Sequence, residues 1–438
     1  MRKPLFGWLE STMRLLFKIG QRGGDTLCRE RGIPKSAAVE PMERRALLSG
    51  EISVSQFTSF DSFTPSWDEP QVAVDANGDF VVTWGNANTS NSEQVMAQRF
   101  TASGSLIGTS IQVSGNTTGY ADAPNVAMDA AGDFDITWND GGERFNSGAN
   151  PLGSLPGSPT EYQPAPVSSD SQGDIAIITP GISYNSGPTL QRYSSSGATV
   201  GSAVTLPPAY TSDLAMNASG SFVTTTWGSQ GILVQAFASN GTPATSSILA
   251  NQASSGNDPR FPCVSMNSSG AFVVAWQSYT THPGIYAQLY SAAGTPVGSN
   301  ILVSATGEIE GRDVAMLPNG GFDVSWISPG PTGYGPVELR AFSSLATPLG
   351  SAQTLSSPSE ITCLGVDLST NASGGVDVVW GDYPAVPGGT GEIIADIVPE
   401  PASAAIVVGS AYLMLRRPKR SKTRPICSLG GTHVDHSP

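Results

Sequence analysis

The sequence predicts an all-β fold built from one repeated unit, and three observations support that prediction. Six of the eight tryptophans recur with a mean spacing of about 49 residues. Short runs rich in Val, Ile and Phe alternate with Asn, Asp and Gly turns, the pattern of strands joined by hairpins. A strand-like segment also precedes the first copy. Because a period of roughly 40–50 residues with several short strands is typical of a propeller blade, we predict a seven-bladed β-propeller over residues 51–398. A six-bladed ring is the alternative, since one copy lacks Trp.

The repeated tryptophans are predicted to form the structural core, with ligand stacking as the alternative. They are Trp84, Trp138, Trp227, Trp276, Trp326 and Trp380. The step from Trp138 to Trp227 is double, with a degenerate copy around Thr179. An aromatic ring ends the predicted third strand in six copies, and these rings are expected to pack between neighbouring blades. They are Phe100, Phe145, Tyr193, Phe237, Tyr290 and Phe342.

The two ends of the repeat region predict how the ring closes. The last copy has three strand-like runs, near 366–368, 376–380 and 393–397, and no fourth run before Pro399. The spare segment at 52–55 matches the fourth strands of other copies. We therefore expect the N-terminal strand to complete the last blade, which would remove the exposed edges of an open array.

Charge divides the chain into three regions. The net charge is −14, but residues 1–50 carry ten basic and five acidic residues, and residues from 415 onward carry six and one. The region 51–414 therefore holds 30 acidic residues against six Arg, a net charge of −24, and it has no Lys. This balance disfavours nucleic-acid binding, and the absence of Lys excludes Schiff-base catalysis there.

The N-terminal 50 residues are predicted to be an export segment. One run near its end resembles the LEPR-XLL segment of large exported proteins, especially of planctomycete-type bacteria. This run is Val39-Glu40-Pro41-Met42-Glu43-Arg44-Arg45-Ala46-Leu47-Leu48-Ser49. It has Met-Glu-Arg-Arg where Leu-Glu-Pro-Arg is usual, and residues 1–35 lack a clean apolar secretory core. The alternative is an ordinary N-terminal arm.

The C-terminal region has a three-part pattern. Pro399, Glu400 and Pro401 precede an apolar run at 402–415, predicted to be a short helix, and Arg416 and Arg417 begin a basic cluster. The run is shorter than the roughly 20 residues of a membrane span. The order resembles the PEP-CTERM sorting signal, here 399–420. That resemblance implies transient membrane insertion through 402–415, processing by an exosortase-type enzyme, and export to the cell envelope, cell surface or extracellular matrix. Residues 421–438 are predicted to be a disordered tail.

No constellation in the sequence predicts catalysis. His282 is alone in a variable loop, and Arg99, Arg144 and Arg192 occupy one repeat position, so they are expected to spread around the ring instead of converging on a pocket. We predict a protein that is not an enzyme. The alternative is a secreted hydrolase or lyase acting on polysaccharide, which a convergent pocket of acids with Tyr and Arg would favour.

One turn is a candidate calcium site. Asp75, Asn77 and Asp79 place oxygen side chains at alternate positions, as hard cations require, and related turns occur at 129–133 and 170–174. The further acid typical of calcium loops is replaced by Thr83, and the alternative is a hairpin turn stabilised by its Asx side chain. No other cofactor is predicted. Cys263 and Cys363 belong to copies two blades apart, which disfavours a disulfide.

The repeat as a whole resembles an uncharacterised bacterial surface-protein repeat. Gln98-Arg99-Phe100 and Gln191-Arg192-Tyr193 carry that signature, and the resemblance implies an exported propeller-like protein without bringing an activity. We therefore expect a non-enzymatic cell-surface or matrix protein that acts by binding an extracellular glycan or protein, or as a structural element.

Overall fold

The computed structural model describes twelve segments of the chain, all between residues 51 and 398. They are 51–58, 70–87, 93–114, 124–157, 165–181, 186–251, 258–280, 282–305, 311–330, 333–356, 363–382 and 390–398. These residues form seven antiparallel four-stranded sheets. The prediction of seven blades is confirmed, and the six-bladed alternative is wrong. The copy without Trp forms a complete blade.

The first strand of the fold, β1 (Ile52–Thr58), is followed by three blades. Blade 1 comprises β2 (Gln71–Val74), β3 (Phe80–Ala87), β4 (Glu93–Phe100) and β5 (Leu106–Gln112). Blade 2 comprises β6 (Asn125–Met128), β7 (Phe134–Trp138), β8 (Gly141–Phe145) and β9 (Pro151–Ser154). Blade 3 comprises β10 (Val167–Ser169), β11 (Ile175–Thr179), β12 (Thr189–Tyr193) and β13 (Thr199–Thr205).

Four further blades complete the fold. Blade 4 comprises β14 (Thr211–Met216), β15 (Phe222–Gly228), β16 (Gly231–Phe237) and β17 (Ile248–Leu249). Blade 5 comprises β18 (Pro259–Met266), β19 (Phe272–Ser278), β20 (Gly284–Tyr290) and β21 (Pro296–Ser304). Blade 6 comprises β22 (Arg312–Met316), β23 (Phe322–Gly330), β24 (Gly333–Phe342) and β25 (Gln353–Thr354). Blade 7 comprises β26 (Cys363–Thr370), β27 (Val376–Asp382) and β28 (Thr390–Val398), with β1 as its fourth strand.

The ring closes through the N-terminal strand, as the sequence predicts. β1 pairs antiparallel with β28, from Ile52 opposite Ala395 to Thr58 opposite Thr390, with one irregularity between Ser53 and Ser55. The first strands of neighbouring blades contact one another around the ring, and β2 of blade 1 contacts β26 of blade 7. These seven first strands therefore line a central channel.

The core lies between the blades and is built from stacked rings. In five blades the Phe that starts the second strand stacks on the aromatic that ends the third, with ring centroids 4.8–5.0 Å apart. Five repeat tryptophans are at most 9% exposed, whereas Trp227 is only partly buried. Thr179 stands at the Trp position of blade 3, since Ile175 aligns with the Phe that starts the other second strands. Trp227 thus differs from the other repeat tryptophans in being partly exposed.

Two predicted features lie outside the described residues: the N-terminal segment 1–50 and the C-terminal region from Pro399 onward, including the apolar run 402–415. Within the described residues, no helix is long and apolar enough to cross a membrane.

Candidate functional site

The candidate calcium turn is held together by its own side chains. Asp75 Oδ1 accepts hydrogen bonds from the backbone N–H groups of Asn77 (2.7 Å) and Asp79 (3.0 Å). Asp79 Oδ1 in turn accepts the N–H of Ala102 at 2.9 Å, which fastens this turn to the next hairpin of the blade. Among the described residues, no group of three or more His, Cys, Asp or Glu side chains is arranged to hold a metal ion. Calcium binding here stays a prediction.

Other blades use Asn where blade 1 uses Asp75. Asn217, Asn267 and Asn371 accept the equivalent pairs of backbone N–H groups through Oδ1. An amide oxygen and a carboxylate oxygen therefore do the same work in these turns, which is the Asx-turn role.

The arginines of the third strands connect neighbouring blades. Arg144 of blade 2 pairs with Asp135 through Nε at 2.8 Å, and its Nη atoms donate to the carbonyls of Ser194 (2.7 Å) and Gly173 (2.9 Å) in blade 3. Arg192 of blade 3 likewise reaches a carbonyl oxygen of blade 4. Burial raises the pKa of Asp135 to about 6, although Arg144 opposes that rise. These arginines are spread around the ring, and the bonds of Arg144 and Arg192 stabilise the fold.

Carboxylates converge in the central channel instead. Three residues before the last residue of β14, β22 and β26, the first strands carry Asp213, Asp313 and Asp367. Cys263 occupies the same position in blade 5, between Asp213 and Asp313. Side chains at this position point toward the next blade, and the three carboxylates remain partly exposed to the channel. Sequence reasoning missed this convergence because these residues lie 50 or more positions apart.

Each channel carboxylate binds the open edge of the next first strand. Asp213 Oδ2 accepts the N–H of Val264 at 2.8 Å, and Asp313 Oδ2 accepts that of Leu368 at 2.8 Å. Asp367 Oδ2 accepts the N–H of Val72 at 2.7 Å, which joins blade 7 to blade 1. The innermost strand of a blade has no further strand beside it, so its outward N–H groups need such acceptors. These carboxylates therefore have a structural role in the ring.

The protein environment keeps these acids partly protonated. Burial raises the pKa of Asp213 to about 7 and that of Asp313 to about 6. Burial, followed by the charge of Asp313, raises the pKa of Asp367 well above its usual range. The carboxyl groups of Asp313 and Asp367 hydrogen-bond to each other. Two carboxylates in direct contact cannot both be ionised at low cost, so this pair holds one proton.

A group of aromatic and cationic side chains lies at the mouth of the channel in blades 4 to 6. We call it the mouth cluster, and it consists of Tyr210, Trp227, Arg260, Phe261, Tyr279 and Arg312. The ring centroids of Trp227 lie 4.8 Å from Tyr210 and 5.3 Å from Phe261, and Phe261 lies 6.4 Å from Tyr279. Arg312 directly precedes Asp313 in β22. The mouth cluster and the channel acids are therefore one backbone step, about 3.3 Å along the strand, apart.

The arginines of the mouth cluster stack on its rings. The Arg260 guanidinium lies 5.6 Å from the centroid of Trp227 and 5.0 Å from that of Tyr279, and it forms an ion pair with Asp258. The Arg312 guanidinium lies 5.2 Å from the centroid of Phe261. Such cation–π contacts fix both the ring and the cation.

Phe261 adopts a backbone conformation that a bulky residue rarely takes. Its φ is +52°, it lies in the irregular stretch of β18 between Arg260 and Cys263, and 37% of its surface is exposed. Arg312 Nε donates to the Phe261 carbonyl at 2.7 Å and stabilises this conformation. Strained residues of this kind cluster at functional sites, and an exposed aromatic ring held in such a conformation is the feature that marks the mouth cluster as a candidate site.

Comparison with known proteins adds similarity at the level of the fold. No family model matches the sequence, and no curated protein matches it. Among solved structures, the chain is similar to a protein of unknown function from Dyadobacter fermentans, with 10% identity, coverage of 80% of this chain and 98% of that one, and a TM-score of 0.47.

Two further solved structures are similar to the chain. AofleA from Arthrobotrys oligospora has 11% identity, with 70% of this chain and 90% of that one covered and a TM-score of 0.45. An α-L-arabinanase from Penicillium chrysogenum, complexed with arabinobiose, has 12% identity, with 79% and 97% covered and a TM-score of 0.43. Since all three TM-scores are below 0.5, the assignment of the fold rests on the strand pairing of this chain.

Proposed function

We propose that the protein is an exported, non-enzymatic binding protein whose mouth cluster binds a glycan. The export part of this proposal rests on the resemblance of both termini to sorting segments. The binding part rests on one observation: Phe261, exposed and held in a strained conformation, forms a continuous aromatic group with Trp227 and Tyr279 at the channel mouth. Exposed rings of this kind offer an apolar face to a sugar ring, and nearby polar groups fix its orientation.

The position of Trp227 supports this assignment. The second and third strands of blade 4 are joined by only two residues between Gly228 and Gly231. Trp227 is partly exposed and contacts Phe261 and Arg260 of blade 5. The equivalent tryptophans are buried, including Trp138, which precedes an equally short connection. The same repeat residue thus serves the core in five blades and contributes to a surface in blade 4.

Polysaccharide hydrolysis is the second candidate function, because three carboxyl groups with raised pKa values lie just inside the mouth cluster. Glycosidases generally pair two carboxyl groups at least about 5 Å apart. Asp313 and Asp367 are in direct contact, so that pair alone does not match the arrangement, and any catalytic pair would have to include Asp213. Each carboxylate also accepts a backbone hydrogen bond from the next blade, which favours binding over hydrolysis.

A glycan array probed with the full-length protein tests the proposal, followed by calorimetric titration of the best ligand. We expect Trp227→Ala and Phe261→Ala each to weaken binding at least tenfold, because each removes a stacking ring. Leu106→Ala is the matched control, since Leu106 is an exposed apolar residue (64%) on the outermost strand of blade 1. Release of reducing ends by the wild type, abolished in Asp213→Asn, would establish hydrolysis instead.

A further inference from the structure

Within the proposed glycan-binding function, on which this inference rests, we infer that the mouth cluster selects anionic sugar units and that Arg312 binds their carboxylate or sulfate groups. The starting point is the distribution of the six arginines in a region whose net charge is −24. Arg99, Arg144, Arg192 and Arg340 lie on third strands, whereas Arg260 and Arg312 both lie on first strands at the channel mouth. Two of six cations are therefore concentrated in one place.

The two mouth arginines differ in how much of their charge is already balanced. Arg260 forms an ion pair with Asp258. Among the described residues, the hydrogen bonds of Arg312 go to neutral oxygens: Nε donates to the Phe261 carbonyl at 2.7 Å, and Nη1 donates to Gln277 Oε1 at 3.4 Å. Its charge also interacts with that of Asp313, without a hydrogen bond between the two. A guanidinium carries five N–H donors in a planar fork that matches a carboxylate or sulfate. Arg312 is thus oriented by neutral partners and retains donors for an anion.

Gln277 supplies an independent observation that points to a missing acceptor. Its side-chain oxygen accepts bonds from Arg312 and from the Tyr279 hydroxyl (2.9 Å), which fixes the orientation of the amide. Its Nε2 then has no hydrogen-bond partner among the described residues, although Gln277 is only 1% exposed. An unpaired buried donor costs about 1–3 kcal/mol. Nε2 is closed to solvent in this conformation, so a ligand oxygen would satisfy it only if the Gln277 amide turns toward the mouth.

The overall charge of the propeller makes this selectivity local. The net charge of −23 on residues 51–398 repels a polyanion over most of the surface. Attraction is expected only where a cation is accessible and incompletely paired. Arg312 is partly exposed and, among the described residues, has only neutral hydrogen-bond partners. The rings of Trp227 and Phe261 would bind the sugar face, and Arg312 would bind its acidic group.

Titration of the full-length protein with matched polysaccharides tests this inference. The carboxylate arm compares polygalacturonate with its fully methyl-esterified form, and the sulfate arm compares κ-carrageenan with agarose. We expect at least one anionic member to bind tenfold or more tightly than its neutral partner. Arg312→Gln should weaken binding of the anionic partner at least tenfold more than binding of the neutral partner, because both partners lose the support that Arg312 gives to Phe261 but only the anionic one loses its ionic contact. Arg99→Gln, the same change of charge in blade 1, should preserve the preference.

The outcomes separate this inference from the proposed function. Equal binding of charged and neutral partners, still dependent on Trp227, would overturn the anion selectivity and leave the glycan-binding proposal in place. A preference that survives in Arg312→Gln would overturn the role of Arg312. If no polysaccharide binds, on the array or in solution, both the proposed function and this inference are overturned.

Discussion

Blades 1 to 3 and blades 4 to 7 carry their acidic residues at different positions of the same repeat. In blades 1 to 3, acids occupy the first turn and neutral residues occupy the channel position. The turn residues are Asp75, Asp129 and Asp170, and the channel residues are Gln71, Asn125 and Pro166. In blades 4 to 7 the first turn has no acid, and the channel position is an acid in every blade except blade 5. The turn residues are Asn217, Asn267, Leu317 and Asn371, and the channel residues are Asp213, Cys263, Asp313 and Asp367.

This difference shows that the repeat does not require a carboxylate at either the turn position or the channel position. The turn works equally well with Asp or Asn, since either side chain caps the same backbone N–H groups. The channel position tolerates Gln, Asn or Pro in three blades, so a carboxylate there is not a requirement of the repeat. Acids therefore accumulate in the channel of blades 4, 6 and 7, next to the mouth cluster, for a reason that the repeat itself does not supply.

The largest expected effect comes from cutting the junction between the two sets of blades. Deleting 51–58 removes β1, which completes blade 7 beside blade 1, and leaves β28 with an unpaired edge. We expect cooperative unfolding to be lost, as measured by denaturant titration and differential scanning calorimetry. Deletion of 421–438 serves as the control. A stable deletion product with a sharp transition would show that closure by β1 is not required.

A second comparison sets an arginine between blades 2 and 3 against one in the mouth cluster. Arg144→Leu leaves Asp135 buried without its partner, a loss of roughly 3–5 kcal/mol of unfolding free energy. The loss should shrink below pH 6, because the Asp135 carboxyl is then neutral. Arg312→Gln should cost only about 1–2 kcal/mol, the value of its hydrogen bonds. Equal losses in urea titrations would contradict the distinction between structural and ligand-binding arginines.

The channel acids should make stability depend on pH. Because burial raises the pKa of Asp213 from 3.8 to about 7, the folded chain binds this proton more tightly than the unfolded chain. The unfolding free energy therefore falls as the pH rises from about 4 to about 7, and it is higher at pH 5 than at pH 8. Asp313 and Asp367 contribute in the same direction.

Asp213→Asn isolates one channel acid, since its amide oxygen can still accept the N–H of Val264. We expect the variant to gain roughly 1–3 kcal/mol at pH 8 and to show a flatter pH profile of stability. Asp79→Asn makes the same change of charge in a turn of blade 1 and serves as the control. Urea titrations from pH 4.5 to 8.5 measure both. A steep profile retained in Asp213→Asn would exclude Asp213 as its source.

The smallest expected effect is in the turns of blades 1 to 3. Asp75→Asn introduces the residue that blades 4, 5 and 7 already use, so we expect a change within about 0.5 kcal/mol. A melting temperature that is the same in calcium and in chelator for the wild type would contradict the calcium site predicted at this turn. A melting temperature that calcium raises in the wild type, and no longer raises in Asp75→Asn, would establish the calcium site instead.

Local chemistry made most of the fold predictable from the sequence. Glycines at the hairpin tips, such as Gly78 and Gly132, have positive φ, and the turn residues around them recur at a fixed distance from Trp. The spare segment at 52–55 pointed to β1 because a missing fourth strand leaves unpaired backbone groups. Such signals depend on residues close in sequence or on a simple count of strands.

The candidate site could not be predicted from such local signals, although two patterns in the sequence involve its residues. Arg260 and Arg312 are the body arginines that lie outside the third strands, and Asp213 and Asp313 occupy the same repeat position, three residues before the end of a first strand. Neither pattern states which side chains meet, because that depends on the angle between successive blades and on the irregular path of β18.

The sequence by itself determined the repeat and the strand that closes the ring, because both follow from period, turn chemistry and the pairing of backbone groups. It predicted seven blades with six as the alternative, and the strand pairing decided for seven. Only the tertiary structure decided which of the six tryptophans would be exposed, and which charges would meet in the channel. Trp227 is partly exposed and contacts Phe261 and Arg260 of the next blade. Rings and charges about 50 residues apart become neighbours only when the ring of blades brings their first strands together around one axis.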